Sequence, residues 1–154
     1  MLLFLIRHAS AKNSYVSGND FDRCLTKEGI KQAKQLGAYL AKSTFSFDEI
    51  YVSSSQRTRE TAKYALGPKM DIKYEDSLYL PERKQLLKFI NKLETGSNLL
   101  IIAHNEGISS LASYLTNQYV GLNTANSVII EFDCSNSNEI SAATGKLLDF
   151  FSPI

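Results

Sequence analysis

The sequence is poor in the residues that mark specialised protein classes. Its 154 residues include two histidines, two cysteines, three prolines and no tryptophan. Cys24 and Cys134 lie far apart and form no CxxC pair, so they cannot build a disulfide scaffold, and each is expected as a reduced thiol. No apolar run approaches the ~20 residues that a membrane helix needs. Met1 to Ile6 is apolar, but Arg7 and His8 break it, and a signal peptide would place positive charge ahead of a longer apolar stretch. A cytoplasmic protein with no membrane partner is therefore expected. An excess of charge is missing too. Lys and Arg total 17 against 16 acidic residues, a formal net charge of +1, which gives a polyanion nothing to hold, so no nucleic acid partner is expected. The composition also excludes disorder, since 44% hydrophobic residues can form one core at this length. A single domain over 1–154 is expected.

What the sequence does contain is an alternation. Leu2 to Ile6 is a short unbroken apolar run, the pattern of a strand buried on both faces, and it stops at polar Arg7-His8. The polar segment Tyr15 to Arg23 reads as a loop. Thr26 can cap a helix whose apolar positions Ile30, Ala33, Leu36, Leu40 and Ala41 follow the helical period. Glu49 to Ser53 then reads as a strand, Gln56 to Leu66 as a helix closed by Gly67-Pro68, and Asp71 to Tyr74 as a short strand. Arg83 to Leu93 is a helix with Leu86, Leu87, Phe89, Ile90 and Leu93 on one face, ended by Gly96. Asn98 to Ala103 is a second buried run that stops at a polar pair, His104-Asn105, and Gly107 to Leu115 follows as a helix. In the last third, Ser127 to Phe132, Glu139 to Ala143 and Lys146 to Phe151 read as strands. The expected fold is α/β, with three α/β/α layers, a mostly parallel central sheet and an antiparallel addition near the C-terminus.

In such sheets ligands bind beyond the carboxyl ends of the strands, and both histidines fall there. A histidine one residue past a buried strand can be structural, its ring bonded to a backbone carbonyl, or it can do chemistry. The arginines favour chemistry. They number five among the 17 basic residues, at 7, 23, 57, 59 and 83, and Arg7 and Arg57 share the histidines' edge of the sheet. A guanidinium fork matches phosphate oxygens bidentately, as a lysine ammonium does not. Two arginines and two histidines on one edge describe a phosphate pocket. Arg59 and Glu60 read as a solvated helix face, and Tyr79 as packing.

Four segments then carry a resemblance. Arg7-His8-Ala9 resembles an RHG motif, Asp22-Arg23-Cys24-Leu25-Thr26 with Gly29 resembles D-x-R-P-L-T-x-x-G, Ser53 to Thr61 resembles S-P-x-x-R-A-x-x-T, and Ile101 to Gly107 resembles V-G-H-N-P-G. In this order they are similar to the histidine phosphatase, or phosphoglycerate mutase-like, superfamily, and the short D-x-R-x-L-T form resembles its SixA-type phosphohistidine phosphatases. The resemblance implies a phosphoglycerate mutase-like fold. It also implies a nucleophilic His8 that forms a phosphohistidine intermediate, Arg7, Arg57 and His104 around the phosphoryl group, and no metal or cofactor. Arg23, Ser14 and Asn105 are candidate substrate contacts, although Arg23 can instead pair with Asp20 or Asp22.

Departures from the pattern are informative. Ala9 replaces a glycine, and Cys24, Ser54 and Glu106 replace prolines, changes of loop stiffness more than of chemistry. Larger relatives acting on phosphate esters carry a glutamate acid after the third strand, whereas Leu78-Tyr79-Leu80 has none. Glu82 and Asp76 are the nearby candidates for a general acid. An alkoxide leaves poorly without a proton, and the imidazole of a phosphohistidine leaves better. The expected partner is a phosphorylated histidine-containing protein, with a small phosphate ester or sugar phosphate as the alternative substrate. Other classes fare worse. A cysteine phosphatase needs C-x5-R, but Ile30 stands six residues after Cys24; no Walker loop is present; and a metal site of His8, His104, Asp20 and Asp22 would set Arg7 and Arg57 against the cation. A non-catalytic phosphoprotein-binding module would leave the nucleophile unused.

Overall fold

Alternating apolar runs and amphipathic helices assemble as their patterns require. A computed structural model describes residues 1–14 and 18–154; Tyr15 to Ser17, the start of the expected loop, lie outside the described residues. In chain order the elements are β1 (Leu2–Arg7), α1 (Lys27–Lys42), β2 (Glu49–Ser53), α2 (Gln56–Leu66), β3 (Ile72–Glu75), α3 (Arg83–Leu93), β4 (Leu99–Ala103), α4 (Gly107–Thr116), β5 (Ser127–Phe132) and β6 (Gly145–Phe151). The six strands form one sheet in the order β3-β2-β4-β1-β5-β6. β3, β2, β4 and β1 pair in parallel, while β5 and β6 are antiparallel additions.

Strand alternation assigns the two faces. Leu3, Leu5, Leu99, Ile101, Val128 and Ile130 pack under α3 and α4 with Leu86, Ile90, Leu111 and Leu115. Phe4, Ile6, Leu100, Ile102 and Ile129 face the other way, toward Leu36, Leu40 and Ala62 of α1 and α2. The three-layer expectation is met. Both cysteines are free, and no helix among the described residues is long and apolar enough to cross a membrane.

Five elements, β1, β3, β4, α4 and β6, differ by one residue from their expected bounds, and one expected strand is absent. β3 runs one residue later than Asp71 to Tyr74. α3 spans Arg83–Leu93 as expected, and Glu94, in the left-handed conformation with φ 46°, ends it in place of Gly96. Glu139 to Ala143 is not a strand. Ser137–Glu139 forms a 3₁₀ turn whose Asn136 side chain accepts from the Asn138 amide, and Ala143 has φ 54°. Ile140 is the one residue from 139 to 143 that is buried. The segment is fastened instead by Asn91, which donates to the carbonyls of Ser137 and Ile140, so its apolar residue anchors a turn and no ladder forms.

Two glycines are required by close approach. A Cβ on Gly29 would lie 1.9 Å from the Ser10 carbonyl oxygen, and one on Gly107 would lie 2.1 Å from that of Pro81. Gly29 thus lets the first turn of α1 rest on the chain just past His8. Gly29→Ala is expected to lower stability by about 1–3 kcal/mol, because backbone must move to admit the methyl group; urea unfolding checks this, and an unchanged midpoint would contradict the contact.

Candidate active site

The site begins with strand register. β1 and β4 are adjacent and parallel with Arg7 opposite Ala103, so the residues that follow, His8 and His104, stand side by side at the sheet's carboxyl edge. The His8 amide continues the ladder to the Ala103 carbonyl at 3.1 Å. The ring centroids end 5.3 Å apart, close to the spacing of neighbouring strands, about 4.8 Å. On the other side of β4, β2 delivers Ser53, whose Oγ lies 2.8 Å from His104 Nε2.

The helix after β2 supplies the next group. Arg57 lies in the first turn of α2, with 2% of its surface exposed, and its Nε donates to His8 Nε2 at 3.3 Å. Four residues on, Thr61 lies on the same helix face. Its hydroxyl donates to the Arg57 carbonyl at 2.7 Å and accepts from the Ala9 amide at 2.9 Å. The arginine-to-threonine spacing therefore ties α2 to the residue after His8. Arg7 turns toward the loop beyond α4, with Nη1 3.1 Å from the Leu122 carbonyl.

The His8 ring has a defined tautomer. Its Nδ1 lies 2.8 Å from the Ala9 carbonyl, which can only accept, so the ring proton is on Nδ1 and the Nε2 lone pair faces Arg57. Burial, opposed by that carbonyl and assisted by Arg57, Arg7 and Arg23, lowers the pKa of His8 to about 4. Burial, followed by His8 and Arg57, lowers that of His104 to about 3. Both rings are neutral at neutral pH. Two buried nitrogens at the site, Arg7 Nε and His104 Nδ1, have no hydrogen-bond partner among the described residues.

Arg57 and Arg23 meet on one carboxylate. Asp20 accepts Arg57 Nη2 at 3.0 Å and Arg23 Nη1 at 3.1 Å, and the Tyr79 hydroxyl donates to the same group. Hydrogen bonds from Tyr79 and Arg23, with the charge of Arg57, outweigh partial burial and hold the Asp20 carboxyl at about 2. Tyr79 also sets its ring edge-on to His104, centroids 5.5 Å apart. Asp20, expected as a partner of Arg23, also holds Arg57; Tyr79, expected as packing, adds a hydroxyl bond to Asp20; and Ser53 joins the site through His104. The available signal for Asp20 was its place three residues before Arg23.

The remaining candidates lie elsewhere. Glu82 is exposed and caps α3, accepting from the backbone while Gln85 bonds back to its amide. Asp76 is exposed and accepts from Ser54 Oγ. Asn105 is held by the Leu122 carbonyl at 2.9 Å and by Ser109, and Ser14 is exposed. Glu60 is not merely solvated, since it accepts the Leu25 amide at 3.1 Å. Arg59 lies on the Tyr74 ring, 4.1 Å from its centroid.

Comparison with known proteins follows this geometry. The family model described as the histidine phosphatase superfamily (branch 1) matches residues 3–79. An uncharacterised protein of Mycobacterium tuberculosis is 30% identical over 112 residues, which cover 71% of this chain and 69% of its own. Among solved structures, the protein histidine phosphatase SixA complexed with tungstate superposes with TM-score 0.82 at 17% identity, over 99% of this chain and 97% of that one. A phosphoserine phosphatase of Entamoeba histolytica in complex with phosphoserine gives 0.70 at 16% identity, over 97% and 95%. At such identities the superpositions establish a shared fold.

The neutral rings carry a pH signature. Unfolded histidines titrate near 6.5, so below that pH the unfolded chain binds more protons than the folded one, and acid favours unfolding. Stability is fully present above about pH 6.5 and is lost as pH falls toward 4. Between pH 7 and 5 the loss is expected to be about 2 kcal/mol for each histidine, and His104→Gln should remove its share. Urea midpoints at these pH values test this; an identical pH dependence in the two proteins would show that His104 titrates in the fold as it does in the unfolded chain.

Proposed function

This chain belongs to the histidine phosphatase superfamily (branch 1), and from that membership we propose that it hydrolyses phosphohistidine borne on a protein, through a phosphoryl intermediate on His8 and without a metal ion. The observation that carries the reading is the His8 tautomer, fixed by Nδ1 at 2.8 Å from the Ala9 carbonyl. A histidine nucleophile must be neutral and must keep one lone pair for phosphorus. His8 has both properties, and cations stand around that lone pair.

In the proposed first step Nε2 of His8 forms a bond to phosphorus while the P–N bond of the substrate breaks. With the substrate ring protonated on its far nitrogen, the released electron pair returns to a neutral imidazole, and no separate acid is needed. In the second step a water oxygen bonds to phosphorus, the P–Nε2 bond breaks, its pair returns to His8, and inorganic phosphate leaves with both water protons. Little covalent help is required of the protein, but charge must be stabilised on the equatorial oxygens. Arg7, Arg57 and His104 take that role, and the unpartnered Arg7 Nε and His104 Nδ1 are donors suited to it. Ser53 Oγ lies 2.8 Å from His104 Nε2, and with the Ser53 hydroxyl donating there the His104 ring proton is on Nδ1, the unpartnered nitrogen.

Substrate class follows from the acids. Glu82 caps a helix, Asp76 is bonded to Ser54, and Asp20 is held ionised near pKa 2. None is set to protonate an alkoxide, which favours an imidazole leaving group over an alkyl ester. That a protein histidine phosphatase of the same fold is complexed with tungstate, a tetrahedral oxyanion, supports an oxyanion-binding reading.

A substrate panel tests the proposal. Phosphoramidate and phosphohistidine peptides are expected to turn over faster than alkyl phosphates, with rates unchanged by EDTA. Faster alkyl ester turnover would overturn the substrate class, and inhibition by EDTA would overturn the metal-free route. His8→Ala is expected to fold, to lose on the order of 10³-fold or more in rate, and to give no acid-labile phosphoenzyme.

A further inference from the structure

Arg57 is a guanidinium with 2% of its surface exposed, set at the positive end of a helix dipole that disfavours a cation. So buried a charge requires a counter-anion. In the free protein that anion is Asp20, which receives Arg57 Nη1 on its carbonyl at 2.7 Å and Nη2 on its carboxylate at 3.0 Å. Arg23 reaches the other carboxylate oxygen at 3.1 Å. The third side of Arg57, Nε, lies against the His8 Nε2 lone pair at 3.3 Å. An internal anion therefore already occupies Arg57, one of the cations that the proposed reaction uses, and the same guanidinium covers the proposed nucleophile's lone pair.

We propose that the Asp20 carboxylate stands in for the phosphoryl group in the free protein, is exchanged for phosphoryl oxygens when substrate binds, and returns to Arg57 as inorganic phosphate leaves. The proposal rests on the phosphatase reading above and adds to it a residue that sets affinity for substrate and product.

Carboxylate and phosphate are the two anions whose oxygens match a guanidinium edge. They cannot share that edge at close range without mutual repulsion, which is strong where water is scarce. Of the two partners, Asp20 is the one free to yield. Its side chain is 42% exposed and its displaced oxygens can be hydrated, whereas Arg57 is enclosed. Arg57 is likewise drawn from His8 Nε2 onto the incoming oxygens, which frees the lone pair when its target is in place. Binding becomes an exchange of anions, weaker than capture by bare arginines, and product release is assisted by the returning carboxylate.

The test measures inorganic phosphate and orthovanadate binding by titration calorimetry, with product inhibition by phosphate, in the wild type, Asp20→Asn and Asp22→Asn. Asp22 supplies a control of equal charge two residues away, bonded to Asn19 at 2.8 Å and not to Arg57. Asp20→Asn is expected to bind phosphate about fivefold more tightly, the scale of one partly exposed ion pair, and to be inhibited at correspondingly lower phosphate. Asp22→Asn should change less than twofold. Equal or weaker phosphate binding by Asp20→Asn, or equal tightening in both variants, would overturn the exchange while leaving the phosphatase reading intact. No oxyanion binding by the wild type would instead remove that reading itself. A second measurement avoids any folding defect of the variant: in the wild type, the Asp20 side-chain carboxyl ¹³C resonance should move along the phosphate binding isotherm while that of Asp22 stays. A stationary Asp20 resonance would also overturn the exchange.

Discussion

The parallel pairing of β1 with β4 is the constraint on which the site depends. Because Arg7 and Ala103 occupy the same rung, the two histidines that follow are held one strand spacing apart by backbone hydrogen bonds and not by loop conformation. Every other group is placed relative to that pair. β2 brings Ser53 to one side of His104, α2 brings Arg57 onto His8, and Thr61 locks α2 to the residue after His8. A one-residue slip in this register would turn alternate side chains through the sheet, sending Leu3 and Leu5 toward the wrong helices, so the core that stabilises the fold also fixes the chemistry.

The same burial sets the protonation states. A pocket rich in arginine would by itself keep a histidine neutral only modestly, through repulsion. Enclosure is the larger cause for both rings, with the arginine charges adding to it. The Ala9 carbonyl acts against this by favouring the protonated ring, yet it is also what fixes the tautomer. The site accepts this opposition in exchange for orientation, since in the proposed reaction a neutral imidazole with its lone pair on the wrong nitrogen would be useless as a nucleophile.

Much of this was legible along the chain. The buried runs, the amphipathic helices and the capping Thr26 gave the layers and the parallel sheet, and the two polar pairs at strand ends located the site. What escaped depends on contacts between distant segments. Asp20 reads as a local partner of Arg23 until α2 folds beside it, and Ser53 is one of three consecutive serines until β2 pairs with β4. Glu60 sits on an outward-looking helix position, and only the return of the chain at Leu25 gives it an amide to accept. Glu139 to Ala143 failed for a related reason. An alternating pattern specifies a strand only where a neighbouring strand can pair with it, and here Asn91 and the Tyr114 carbonyl take up the backbone groups.

The division of labour between rigid and exposed parts bears on how such a site can vary. His8, His104 and Arg57 are placed by strands and by a helix packed into the core, so replacing any of them disturbs the buried geometry, and replacing Arg57 removes charge as well. Asp20 comes from an exposed bend and is tied to the rest of the site through Arg57, Arg23 and the Tyr79 hydroxyl. A change there alters the balance of charge around the phosphate pocket while leaving the strand register, the His8 tautomer and the helix position in place. In the proposed reaction Asp20 therefore adjusts the affinity for an oxyanion from a segment separate from the one that carries the chemistry, and the first can be tuned without rebuilding the second.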